Sequence, residues 1–190
     1  MISHPVNKPG IRDPRTVLAR DQIPNYESER PDPEIPDLAR PDNTLCTECG
    51  AVYQNQHWVL DEKKRQLLIA SGAANEVICP GCKIVAERNP QGIVYLSGDY
   101  WPAHREEILN LIRNEEARGM STNPLERIID IRDEDNTLII ETTNEKLAQK
   151  IGRSINKAHS GDLEYKWSGG NHLVRIYWER SLETGNGKKG

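Results

Sequence analysis

A chain of 190 residues with 36% hydrophobic content can bury one ordinary core plus a small module. Its formal charge of −4 excludes any general attraction to nucleic acid or anionic lipid, so a polyanion would have to be held by local charge asymmetry. Apolar runs such as Leu67–Ala70 and Leu138–Ile140 are too short to cross a bilayer, and the N-terminal stretch has no signal-peptide core, so a cytoplasmic protein without membrane contact is expected.

Residues 1–43 hold eight of the twelve prolines, with short charged pieces between them. Proline removes backbone donors and fixes φ, so this stretch is expected to be an extended or disordered arm. Tyr26, Ile35, Leu38 and the arginines are the anchors it would offer if it ordered along a partner.

The four cysteines of the chain follow as two CxxC pairs, Cys46/Cys49 and Cys79/Cys82, separated by 29 residues. A two-residue gap lets a tight turn aim both sulfurs at one point, and Gly50 and Pro80-Gly81 supply the turn chemistry. Four thiolates at this spacing predict a closed structural zinc site. The competing readings fit less well. A redox CxxC works without a second pair, and a disulfide framework belongs to small exported chains. Catalytic zinc keeps an open position, which four thiolates would fill. His57, between the pairs, is expected to be a surface or packing residue rather than a ligand.

The predicted zinc module covers 44–97, as a zinc ribbon or treble clef. It contains a short strand or hairpin over 51–60 and a helix over 61–73 that packs through Leu67, Leu68 and Ala70. A strand is expected over 83–88, a turn at Asn89–Gly92, and a returning strand at Ile93–Leu96. A linking helix within 98–123 starts near Pro102, buries Ile108, Leu111 and Ile112, and ends near Gly119. His104 with Glu107 lacks the spacing of a metal motif.

The last unit, 124–180, reads as ββαββ, giving an α+β fold overall, with a disordered tail over 181–190. Strands at 127–132 and 136–141 flank a turn at Asp133–Asp135. A helix capped by Thr142 or Asn144 runs to Ser160, burying Leu147, Ala148, Ile151, Ile155 and Ala158. Strands at 162–167 and 173–178 are joined through Ser168–Asn171. On this helix Lys146, Lys150, Arg153 and Lys157 recur every three or four residues, away from the apolar side, which is the spacing of a phosphate track. Charge alone favours an ordinary solvated face slightly, because 124–180 balances nine Lys/Arg against ten Asp/Glu. Lys83, Arg88 and Arg175 are further basic candidates.

The segments CTECG (46–50) and CPGCK (79–83), with the stretch from Glu141-Thr-Thr-Asn144 to Val174-Arg-Ile-Tyr-Trp178-Glu-Arg180, resemble a family of small bacterial zinc-knuckle proteins. That family is in turn distantly similar to the archaeal and eukaryotic adaptor that escorts large ribosomal subunits out of the nucleus. The resemblance spans about 44–180. It implies binding to the ribosome, the large subunit favoured, or to structured RNA, in assembly, quality control or dormancy. The adaptor's additional CxxC pairs and later domains have no counterpart here.

The sequence thus leads to a zinc-stabilised, non-enzymatic protein with a ribosomal or RNA partner and no small-molecule substrate. The alternative is a protein–protein adaptor that uses the zinc module and the arm without RNA contact. An enzyme is disfavoured by the lack of a Ser/His/Asp constellation, a glycine-rich phosphate loop or a clustered carboxylate pair.

Overall fold

The computed structural model describes residues 41–168 and 173–182, and these fall within one unit, Pro31–Gly190. Most of the proline-rich arm, the tail from 183 and the 169–172 part of the last turn lie outside the described residues.

The chain enters a four-stranded sheet of very short strands. These are β1 (Thr44–Cys46), β2 (Val52–Gln54), β3 (His57–Val59) and β4 (Asn75–Val77), in the order β3-β2-β1-β4. β2 and β3 form a hairpin through Asn55 and Gln56, both at positive φ, as a two-residue turn of matching twist requires. Helix α1 (Glu62–Ser71) is bounded on both sides: Asp61 accepts from the Lys64 N–H at 2.9 Å, and Gly72 ends it in the left-handed region. The expected packing side is wrong, because only Leu68 is buried while Leu67, Ile69 and Ala70 are exposed.

The strand expected over 83–88 is instead helix α2 (Pro80–Glu87). Cys79 caps it by accepting the Cys82 N–H, and Pro80 occupies the first turn, where no N–H is needed. The apolar pair Ile84-Val85 suits either element, and the cap decides.

Strand β5 (Gly92–Ser97) does not return into the metal module. It pairs antiparallel with β7 (Thr137–Thr142) and parallel with β9 (Val174–Glu179). With β6 (Ile128–Glu134) and β8 (Asp162–Trp167) they form a five-stranded sheet, β6-β7-β5-β9-β8. The ββαββ reading of the last unit therefore lacked its central strand. The β6–β7 turn is Asp135-Asn136, both residues at positive φ, one position later than expected.

Helices α3 (Tyr100–Ala103), α4 (Arg105–Thr122) and α5 (Glu145–His159) cover one face of this sheet. Val94, Leu96, Leu138, Ile140, Val174, Ile176 and Trp178 meet Ile108, Leu109, Ile112, Leu147, Ile151 and Ile155 in a closed core. α4 thus belongs to the core rather than serving as a linker, and Leu109, not Leu111, is fully covered. It also runs past Gly119, which is buried inside the helix: a Cβ there would lie 2.7 Å from Glu126 Oε2. The glycine permits a close approach rather than ending the helix.

Asn144 caps α5, accepting the Leu147 N–H at 2.9 Å. Thr142 stays in β7, its hydroxyl donating to the Gly92 and Asn144 carbonyls. Leu147, Ala148, Ile151 and Ile155 are buried as expected, whereas Ala158 is exposed and His159 is buried in its place. No helix among the described residues is long and apolar enough to cross a membrane.

Candidate metal centre and basic surfaces

The two CxxC turns converge although their pairs are far apart in sequence, because β1 and β4 lie side by side in parallel and each runs into one turn. Cys46 is the last residue of β1, and Cys79 follows β4 by two residues. Gly50, at φ 73°, closes the first turn by donating to the Cys46 carbonyl at 2.9 Å. The second pair opens α2.

All four sulfurs lie within 4.8 Å of one another, with Cys46–Cys82 at 3.8 Å and Cys49–Cys79 at 3.7 Å. Four sulfurs at roughly 2.3 Å from a central zinc ion define a tetrahedron with edges of about 3.8 Å. A disulfide needs its sulfurs at about 2.05 Å. The Cys46–Cys82 and Cys49–Cys79 spacings match the first geometry and exclude a disulfide, and the donor set of four thiols fits a soft or borderline divalent metal.

Two backbone amides point at sulfur: Cys79 N–H at Cys46 Sγ, 3.3 Å, and Cys82 N–H at Cys79 Sγ, 3.4 Å. Cys46, Cys79 and Cys82 are buried among Ala51, Tyr53 and Trp58, with Cys49 partly covered, so the cluster is closed to substrate on most sides. His57 is exposed on β3 and stands outside the cluster.

Without a cation the sulfurs conflict electrostatically. The Cys49 thiol is pulled down, chiefly by its hydrogen bond with Cys79. Cys79 is pushed up, first by that same bond and then by burial, and burial pushes Cys82 up to about 12. One thiolate suppresses ionisation of its neighbours, and a divalent ion removes that penalty for all four.

The basic residues singled out in the sequence do not form one surface. Lys146, Arg153 and Lys157 are exposed along α5, opposite its buried side. Lys150 is half-buried, and its Nζ lies 2.7 Å from Oε2 of the buried Glu126. The helix brings the four together, but the structure assigns Lys150 an internal partner. Lys83 and Arg88 stand apart on α2, Lys83 facing Glu87 at 3.8 Å and Arg88 ending the helix. Arg175 lies on the face of the large sheet away from the helices and donates to Ser168 Oγ at 2.5 Å.

Sequence reasoning missed that open sheet face. Tyr95 and Tyr177, paired across β5 and β9, stack there with ring centroids 4.9 Å apart and planes 9° from parallel. Stacked aromatics on a sheet are a platform for unpaired bases. The charge argues otherwise: strand register puts Arg132, Lys166 and Arg175 on this face among Asp130, Glu134, Glu141, Asp162, Glu164 and Glu179. Three cations against six carboxylates repel a phosphate backbone. Alternation over Ile93–Ser97 carries the tyrosine signal, but it is readable only once β5 is known to be central.

No family model, curated protein or solved structure matches this chain. Fold and site therefore define its class: an α+β protein of two sheets, with a four-cysteine cluster of metal-binding dimensions.

Proposed function

We propose that the cysteine cluster holds structural zinc and that the protein binds the ribosome or another structured RNA without catalysis, through the outer side of α5. The observation that carries the RNA reading is the asymmetry of that helix. Lys146, Arg153 and Lys157 are exposed on one side, Leu147, Ile151 and Ile155 are fully buried on the other, and Glu145 is the only carboxylate in the helix. Cations recurring every three or four residues along one side of a helix can contact successive phosphates.

Zinc would organise the small sheet, whose strands are three residues each and whose core is too slight to fold alone. The ion's contribution there is to cross-link two turns, and the four cysteines would hold it as thiolates. Nothing in the closed site offers a position for substrate.

The test is whether the tagged protein from a lysate sediments with ribosomal particles. Association with the large subunit is the expected result, and sedimentation with neither subunit nor any RNA refutes the reading.

One observation favours a protein partner instead. Leu60, Leu67, Ile69 and Ile78, all in or beside the metal module, are 48–67% exposed. If they dock a protein, changing Leu67 and Ile69 to Asp abolishes capture of the partner, while charge reversal on α5 leaves it intact.

A further inference from the structure

The wall of the metal centre is not built from the CxxC module alone. The connection between α4 and β6 closes one side of it. Leu125 packs against the cysteine cluster, and a Cβ on Gly81, inside the second CxxC turn, would come within 2.9 Å of Leu125 Cα.

Two residues on, Arg127 is held at three atoms. Its backbone N–H donates to Thr143 Oγ1 at 2.8 Å, its Nε donates to the Pro124 carbonyl at 2.9 Å, and its Nη1 donates to Cys82 Sγ at 3.6 Å. Thr143 Oγ1 in turn donates to the Leu125 carbonyl at 2.6 Å, and the Thr143 N–H donates to the Arg127 carbonyl at 2.9 Å. The guanidinium is therefore aimed at the sulfur by the segment that leads into β6 and by the loop that precedes α5.

We propose that Arg127 is part of the metal centre, its guanidinium donating to the Cys82 thiolate, so that metal retention depends on a residue outside both CxxC pairs. The inference rests on the reading that the four cysteines bind zinc. Four thiolates around one divalent ion carry a net charge of −2, mostly buried here. The two backbone amides that point at sulfur bring no formal charge, whereas Arg127 brings a full positive charge along a hydrogen-bond direction. The same side chain ties the module to the segment that leads into β6, so filling the site and seating the module on the large sheet reinforce each other.

The experiment uses the full chain as wild type, Arg127→Gln and Arg127→Lys, with zinc or cobalt(II) as the probe. Chelator competition gives the zinc affinity, and the cobalt spectrum reports tetrahedral thiolate ligation and the sulfur-to-metal charge-transfer band. Wild type should bind one ion with a tetrahedral spectrum. Arg127→Gln should lose about 10- to 100-fold in zinc affinity, the usual penalty for removing an outer partner of a ligand. Its charge-transfer band should move to lower energy, because one thiolate has lost a stabilising donor. Arg127→Lys should recover most of the affinity.

Equal affinities in all three proteins overturn the proposal and leave the zinc site standing. So does an equal loss in both variants with an unmoved band, since the tie to the Pro124 carbonyl would then account for it. A wild type that binds neither ion overturns the zinc reading itself.

Discussion

Lys150 separates the structural role of α5 from the RNA-binding role proposed for it, and its replacement by Met should destabilise the fold without weakening any RNA association. Its Nζ lies 2.7 Å from Glu126 Oε2, where the Glu126 side chain is 6% exposed and that of Lys150 39%. Removing one partner of a fully buried pair costs roughly 3–5 kcal/mol, because the other charge is left without compensation. Water reaches the lysine here, so about 2 kcal/mol is the better expectation. For a folded unit of this size that lowers the melting temperature by roughly 5–10 °C. Glu126→Gln in the Lys150→Met background should restore part of the loss, since the orphaned charge is gone. Calorimetry of the four proteins of this cycle measures the coupling. A Lys150→Met protein of unchanged stability whose RNA binding is weakened would refute the reasoning and return Lys150 to the phosphate track.

Three further expectations follow from the same geometry. If the cluster holds zinc as proposed, chelation should speed amide exchange across β1–β3 while β5, β7 and β9 stay protected, because the large sheet has its own core; uniform loss of protection would contradict this. Ile151, fully buried, should cost about 2–5 kcal/mol when cut to Ala, whereas Lys157→Ala should stay within about 0.5 kcal/mol, both read from urea midpoints. Burial holds the His159 imidazole below its ordinary value; His104 and Arg180 act in the same direction, and Glu107 against it. The unfolded chain then binds the proton more tightly, so stability is complete above about pH 6.5 and is lost as pH falls below it. His159→Gln should flatten that slope, and an unchanged slope would remove His159 as its source.

What could be read from the sequence depended on how local its cause was. The four-cysteine cluster was legible because two short turns and a rare residue define it without reference to the rest of the fold. The buried stripe of α5 was legible for the same reason, since Leu147, Ile151 and Ile155 recur within one helix. The place of β5 was not. Its register partners for Val94, Ile140 and Ile176, come from distant segments, and nothing near Gly92–Ser97 distinguishes a central strand from the end of a small module. Helix α2 was missed because one capping sulfur, not an apolar period, starts it. Lys150 looked like its neighbours until Glu126 was brought beneath it by the α4–β6 connection. Arg127 had no sequence signal, because its meaning comes from the sulfur it faces.

The central claim is that α5 reads RNA phosphates, and the salt dependence of ribosome or RNA binding tests it most directly. Three exposed cations, each making one phosphate contact, should weaken binding by about 20- to 40-fold between 50 and 200 mM salt. Changing Lys146, Arg153 and Lys157 together to Glu should leave the fold intact and remove that dependence along with most of the low-salt affinity. Binding by the triple variant with wild-type affinity and wild-type salt dependence would contradict the account.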